Sequence, residues 1–361
     1  VKKGRVLIAG FTTRHVAQSA FHAGYEVVAI DHFCDLDLDW YTIDQRKFEE
    51  LSEIPALIDE LCSTYRFDFL VVTSGAEMIH APVPLLGSSP DCVEKFLDKL
   101  EIQHFFVDHG IPAPSLAPPG EYPCIIKPRT GAGGWRNQII TSEEEQKTWI
   151  ELFPDVPYLC QRIVEGIPAS VSCVSNGHEA RAISINEQIL RGDDSERAFG
   201  FAGAITPFDH PMAEQMRFLA EQAAAESGCI GSVGVDFVIG RETWAIEINP
   251  RFQATLDTVE RATGYNLFDL HVNACRGSVP ETMPAPVCTA ARTIVFADRD
   301  LVVQEDLSTL APAVADIPRR GTVVEEGSAL LSVYGWGSTR ASACALLDKT
   351  ITEVRRYMTR W

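Results

Sequence analysis

The spacing of apolar and polar positions changes rhythm along the chain. Residues 5–10, 26–30 and 68–73 are short apolar runs and predict strands. Residues 15–23 and 54–65 have helical spacing, and Gly24 and Asp31 close the first helix and the second strand. This alternation predicts a small parallel sheet. A loop rich in Pro, Gly and Ser, residues 82–90, marks a boundary. A helix is expected over 91–109, then a turn region closed by Pro118-Pro119-Gly120, then a strand at 124–127 that runs into a glycine-rich loop. From 158 to 249 the pattern predicts strands at 169–174 and 180–186, a helix at 211–227, and a hairpin of 232–239 with 243–248 turning at Gly240-Arg241. The last segment predicts strands at 293–297, 321–324 and 330–333 and an amphipathic helix at 340–358. The chain has no internal repeat and no low-complexity tract.

Composition narrows the class. At 361 residues the chain exceeds one ordinary core and suits two or three domains. With 46% apolar and 22% charged residues it reads as a globular enzyme. No apolar run could span a bilayer, and residues 1–10 lack the features of a signal peptide, so a cytoplasmic, membrane-free protein is expected. A net charge of -19 argues against a nucleic-acid surface, which needs clustered Lys and Arg. The 10 cysteines form no C-x-x-C pair, which argues for reduced thiols and against structural zinc. The first strand is followed by Gly10-Phe11-Thr12-Thr13-Arg14, which lacks the G-x-G-x-x-G fingerprint, so no dinucleotide site is inferred.

Four features in a fixed order carry the chemistry. The first is Lys127-Pro128-Arg129-Thr130-Gly131-Ala132-Gly133-Gly134-Trp135, a lysine at a strand end followed by glycines that let backbone N–H groups approach phosphate oxygens. Alone, it reads equally well as a surface turn beside an exposed lysine. The second is Gln161 to Gly166, an extended segment able to offer backbone groups to an adenine edge, or else a plain strand end. The third and fourth are Gly234-Val235-Asp236-Phe237-Val238 and Glu247-Ile248-Asn249-Pro250-Arg251. Glu247 and Asn249 are two apart and share a strand face. Two carboxylates and a carboxamide are hard oxygen donors suited to Mg²⁺. A surface hairpin with ordinary polar residues explains poorly why they interrupt so apolar a strand.

Together these motifs resemble the ATP-grasp superfamily, in its carboxylate–amine ligase and predicted carboligase branch. The resemblance implies α/β and α+β domains: an N-terminal Rossmann-like pre-ATP-grasp domain at 1–90, an ATP-grasp domain at 91–289 with lobes at 91–165 and 166–289, and a C-terminal cap at 290–361. It implies that Lys99, Lys127, Gly131, Gly133, Gly134, Gln161 and Val164 bind ATP, the glycines and Ala132 forming a lid. Asp236, Glu247 and Asn249 would hold Mg²⁺, with Mn²⁺ as a substitute, and Lys127 and Arg251 would act on the transferring phosphate. The acid that many members use for the ribose is missing at 167–170, and Glu165 or Ser170 could replace it. Trp135 and Arg136 are unusual in the lid. The implied reaction joins a small-molecule carboxylate to an amine through an acyl phosphate, with an amino acid such as glutamate as one substrate and a homodimer as the expected assembly. Substrate residues are sought where domains meet: Glu77, after the third strand, and Gln188 and Arg197 in a long polar loop at 188–206 that also holds Arg191, Asp193, Asp194 and Glu196. Glu77 could bind an ammonium group or be a solvated loop acid. A bicarbonate-using carboxylase and a non-catalytic nucleotide-binding regulator are the rival readings.

Overall fold

The computed structural model describes residues 2–131, 133–192 and 196–361. Its first unit is a parallel sheet of β1 (Arg5–Ala9), β2 (Glu26–Asp31), β3 (Asp44–Lys47) and β4 (Phe69–Val72), ordered β3-β2-β1-β4. Side chains alternate between two apolar layers. Val6 and Ile8 face α1 (Arg14–His22), and Leu7, Ala9, Val28 and Ile30 face α2 (Ile54–Thr64). The edge strand β3 reads Asp-Gln-Arg-Lys and has no apolar residue, so no hydrophobic pattern announces it. The Asp31 carboxylate at the end of β2 accepts from Thr13 N and Oγ1 and from the N–H groups of Phe33 and Cys34. Its acceptor positions are spent on the chain itself.

The helix expected over 91–109 is two helices with an irregular stretch between them. α3 (Pro90–Val93) passes into a 3-10 turn, Asp98 is extended, and α4 (Lys99–Asp108) begins afresh. Asp98 is the cause: its carboxylate caps Leu100 N at 2.8 Å and pairs with Arg129 at 2.5 Å. A small antiparallel sheet follows, ordered β6-β5-β7, from β5 (Cys124–Pro128), β6 (Gln138–Ile140) and β7 (Tyr158–Arg162), with Trp149 of α5 (Glu143–Leu152) buried in its core.

The largest layer begins with β8 (Ile167–Asn176), β9 (Ala180–Leu190), β10 (Phe201–Thr206), β11 (Ile230–Ile239) and β12 (Thr243–Asn249). The long polar loop expected at 188–206 is therefore shorter than expected, because residues 188–190 end β9 and Phe201–Thr206 form β10. Gln188 lies in β9, and only residues 191–200 connect it to β10. β13 (Thr289–Phe296), β14 (Leu301–Val302), β15 (Val314–Ala315), β16 (Val323–Val324) and β17 (Ala329–Gly337) complete the strands. The eight-stranded order is β12-β11-β8-β9-β10-β13-β17-β15, with β14 and β16 paired separately, so strands after residue 289 continue the central sheet. One face is apolar, with Val171, Val233, Val235 and Ile185 packed under α6 (Ala213–Glu226). The other face receives α7 (Leu256–Thr263) and α8 (Leu267–Cys275), and α9 (Arg340–Met358) covers β13 and β17.

Candidate active site

Antiparallel partners share a sheet face, so the strand register states which residues stand together. Glu247 on β12 is opposite Asp236 on β11, Asp236 is opposite Ser170 on β8, and Ser170 is opposite Asn186 on β9. One step along, Gln188 is opposite Ala204, Ala204 opposite Arg292, and Arg292 opposite Tyr334. The face away from α6 is thus a polar strip across the sheet. At one end lie the two carboxylates. In the middle, the buried Asn186 amide bonds Ser170, Ser172, Ser184 and Thr206. The strip has a signal in the sequence that strand prediction alone does not use: Ser170 and Ser172, and Ser184 and Asn186, stand at every second residue in two apolar strands.

The carboxylate end is tightly organised. Gln188 Nε2 donates to Asp236 at 2.8 Å and Asn249 Nδ2 to its other oxygen at 3.1 Å. Burial, with Glu247 opposite, pushes Asp236 up to about 7. The donor set of two carboxylates and a carboxamide suits a hard cation. Among the described residues no cluster of three His, Cys, Asp or Glu side chains offers a richer alternative. Arg251 Nη2 donates to Asn249 Oδ1 at 3.1 Å, and Arg251 Nε donates to Glu77 at 2.9 Å. Glu77 also accepts from Gly75 N at 2.6 Å. It is therefore a buried ion-pair partner in this structure, and it joins the parallel sheet to the end of β12.

Lysines approach from α4 and from β5 of the small sheet. Lys99 is the first residue of α4; its Nζ lies 4.0 Å from Glu247 and donates to Gly131 O at 2.7 Å. Lys127 is 8% exposed and donates to Gln161 Oε1 at 2.8 Å. Burial pulls Lys127 down to about 8, opposed by Glu247 and helped by Lys99. Gln161 Nε2 in turn donates to Gln103 Oε1 at 2.7 Å. Gln103, buried on α4, had no distinguishing spacing in a helix of mixed polarity. Val164 is half-buried just past β7.

Gly131, Gly133 and Gly134 all have positive φ, which glycine adopts without strain. The loop touches the β9–β10 connection: Arg136 N donates to Glu196 O at 2.8 Å, and the Arg197 guanidinium sits 4.6 Å from the Trp135 ring centre. A groove of about 450 Å³ beside the loop is lined by Pro128, Thr130, Gly131, Trp135 and Arg136, and neither Asp236 nor Glu247 lies on it. Ala132, Asp193 and Asp194 lie outside the described residues. The far end of the polar strip holds a second buried group. Arg14 pairs with Asp257 at 2.7 Å and Asp316 at 2.8 Å, and Arg292 pairs with Asp316 at 3.2 Å.

A family model described as ATP-grasp domain matches residues 96–255. The carbamoyl phosphate synthase large chain of Rubrobacter xylanophilus is 24% identical over 293 residues, which is 73% of this chain; the chain spans 27% of that relative's length. A biotin carboxylase domain dimer of 2-oxoglutarate carboxylase from Hydrogenobacter thermophilus superposes with TM-score 0.75 at 13% identity, covering 93% of this chain and 86% of that one. An L-amino acid ligase from Bacillus licheniformis superposes with TM-score 0.72 at 15% identity, covering 97% of each chain. At these identities the superpositions establish a shared fold, from the parallel sheet to the last helix.

Proposed function

We propose, from the premise that this chain is a member of the ATP-grasp superfamily, that it is an ATP-dependent, ADP-forming ligase joining a carboxylate to an amine. One observation supports the reading best: Glu247 on β12 stands opposite Asp236 on β11, Asn249 and Arg251 are hydrogen-bonded beside them, and Lys99 and Lys127 bring positive charge toward Glu247 from α4 and β5. In the proposed reaction a substrate carboxylate oxygen attacks the γ-phosphorus of ATP. ADP leaves and an acyl phosphate forms. The neutral amine nitrogen then attacks the acyl carbon, inorganic phosphate leaves, and the nitrogen loses one proton to water as the amide forms. Such chemistry depends on positioning and charge neutralisation.

Lys127, at about 8, is mostly protonated at neutral pH and carries its charge into a dry site. It and Lys99 are assigned to the ATP phosphates, and Gly131, Gly133 and Gly134 to the lid. Both ends of the Gln161 amide are taken by Lys127 and Gln103, so adenine is assigned to the backbone between Gln161 and Val164. Asp236, Glu247 and Asn249 would hold Mg²⁺ or Mn²⁺, which neutralises phosphate charge when bound. Arg251 is assigned to the transferring phosphate, and Glu77, Gln188 and Arg197 to the substrate side. An amino acid such as glutamate as one substrate follows the family likeness. The division at residues 90 and 289, with a C-terminal cap, and a homodimeric assembly belong to the same proposal.

The test is ADP release with ATP and Mg²⁺ against a panel of carboxylates and amines, with and without bicarbonate. Release that needs a carboxylate and an amine together supports the ligase. Release driven by bicarbonate alone replaces it with a carboxylase. ATP binding with no release for any pair leaves a regulator.

A further inference from the structure

The carboxyl edge of the parallel sheet carries aromatic rings that the proposed chemistry does not use. Phe11 follows β1 and is 41% exposed; Phe33 follows β2 and is 45% exposed. His32 lies between them. Its ring stacks on Phe11, with centroids 4.7 Å apart and planes 12° apart, and meets Phe33 edge-on at 4.9 Å. Phe11 and Phe33 are edge-to-face at 5.3 Å. The backbone pins all three. His32 N donates to Phe11 O at 3.3 Å, His32 Nδ1 donates to Phe48 O at 3.0 Å, and Phe33 N donates to Asp31 at 2.8 Å. Single exposed rings are ordinary; adjoining large rings held in fixed turns mark a contact surface.

This group borders the reactive residues. Phe11 N donates to Ser74 O at 2.8 Å, which sets the turn after β1 against the turn after β4. The next residue, Gly75, donates to the Glu77 carboxylate, whose other oxygen accepts from Arg251. A continuous path therefore runs from Arg251 through Glu77 to the rings, along the sheet edge where ligands collect in open α/β folds. We propose that Phe11, His32 and Phe33 form the amine subsite, and that the amine substrate carries an aromatic ring, its ammonium group directed to Glu77. The ring stacks on the exposed aromatic faces while the cationic end meets Glu77, a buried carboxylate that also accepts from Gly75 N and Arg251. The inference rests on the ligase reading for the reacting group and names the amine that reading leaves open.

The molecule supplies its own control. Phe21 and Trp40 are also exposed rings, gathered around Tyr41, but they lie at the far end of α1, on the opposite edge of the sheet. Isothermal titration compares phenylethylamine with n-butylamine on the full chain, on the double variant Phe11→Ala with Phe33→Ala, and on Phe21→Ala. The wild-type chain should prefer phenylethylamine by about tenfold, the scale of one well-placed aromatic stack. The double variant should lose that preference and Phe21→Ala should keep it. Equal binding of the two amines, or a preference that survives the double substitution, overturns the proposal. So does sedimentation showing that the double variant turns a dimer into a monomer, because the rings would then be an interface between copies. ADP release with the same amines separates the two readings. A preference in binding with no release for any carboxylate sinks the ligase and leaves the subsite standing. Release with phenylethylamine at a KM unchanged by the double substitution removes the subsite and leaves the ligase.

Discussion

At the residue scale, charge and burial set what each side chain can do. Lys127 is enclosed, with its ammonium on Gln161 and its charge opposed by Lys99 and supported by Glu247. Lys127→Ala should lower kcat for ADP release by roughly 10²-fold or more, the usual loss for one preorganised charge at a phosphoryl or oxyanion site, while the melting temperature stays within a few degrees. Gln103 reaches Lys127 only through Gln161. Gln103→Leu should therefore raise KM for ATP more than it lowers kcat, as measured by initial rates. Two buried histidines give the fold a pH dependence. Burial pulls both His15 and His271 down to about 4 from 6.5. As pH falls from 6.5 to 4 the unfolded chain takes up these protons first, so stability is full above 6.5 and is lost across that window. Glu260, pushed up to about 7 by burial, acts in the opposite direction over part of the same range. His271 receives Ser232 N on Nδ1 and bonds Leu86 O through Nε2. His271→Gln removes one titration and leaves Glu260. Asp236, also pushed up to about 7, acts in the same direction as Glu260. In urea unfolding, stability at pH 5.0 measured against that at pH 7.5 should therefore be higher for the variant than for the wild-type chain.

At the element scale, caps and glycines decide where elements stop and what they present. Asp98 ends the first part of the 91–109 segment and starts α4, which places Lys99 on the first turn, facing Gly131. The apolar spacing through this segment is continuous, so a single helix was the natural expectation; the side-chain cap overrides it. Asp98→Ala should cost about 1 kcal/mol of stability for the lost cap, read by denaturant midpoint, and should also raise KM for ATP by releasing Arg129 and shifting Lys99. In the glycine loop, Gly134 has φ +66 and its missing Cβ points at the Phe199 carbonyl. A side chain there would push the loop off the β9–β10 connection. Gly134→Val should slow ADP release with little change in melting temperature, whereas the same change at Gly133, where the space is open, should act through backbone strain alone.

At the scale of the whole molecule, a buried ionic group joins segments far apart in sequence. Arg14 from α1 meets Asp37, Asp257 from α7 and Asp316 from the C-terminal segment, and Arg292 of β13 shares Asp316. Burial alone would weaken the Arg14 charge, but Asp257 and Asp316 hold it well above its ordinary range. Arg14→Ala leaves those carboxylates buried without their partner and should cost roughly 3–5 kcal/mol. Arg14→Met with Asp257→Leu, which removes charges of both signs, should cost less, as thermal unfolding would show. The sequence by itself determined the local elements and the order of motifs. The apolar runs, the Gly240 hairpin and the last helix at Arg340–Met358 follow from side-chain period and turn chemistry, which act over a few residues. Lys127, Asp236, Glu247 and Asn249 stand out in the sequence because polar groups interrupt apolar strands. Contacts across the chain belonged to the tertiary structure alone. The Glu77–Arg251 pair spans 174 residues, the Lys127–Gln161–Gln103 relay joins three elements, and the polar strip exists only once strand register brings Ser170, Asn186 and Asp236 to one face. Periodicity reports which face a residue occupies within its own element. Which faces meet is decided by the packing of the whole core, and no local pattern encodes that.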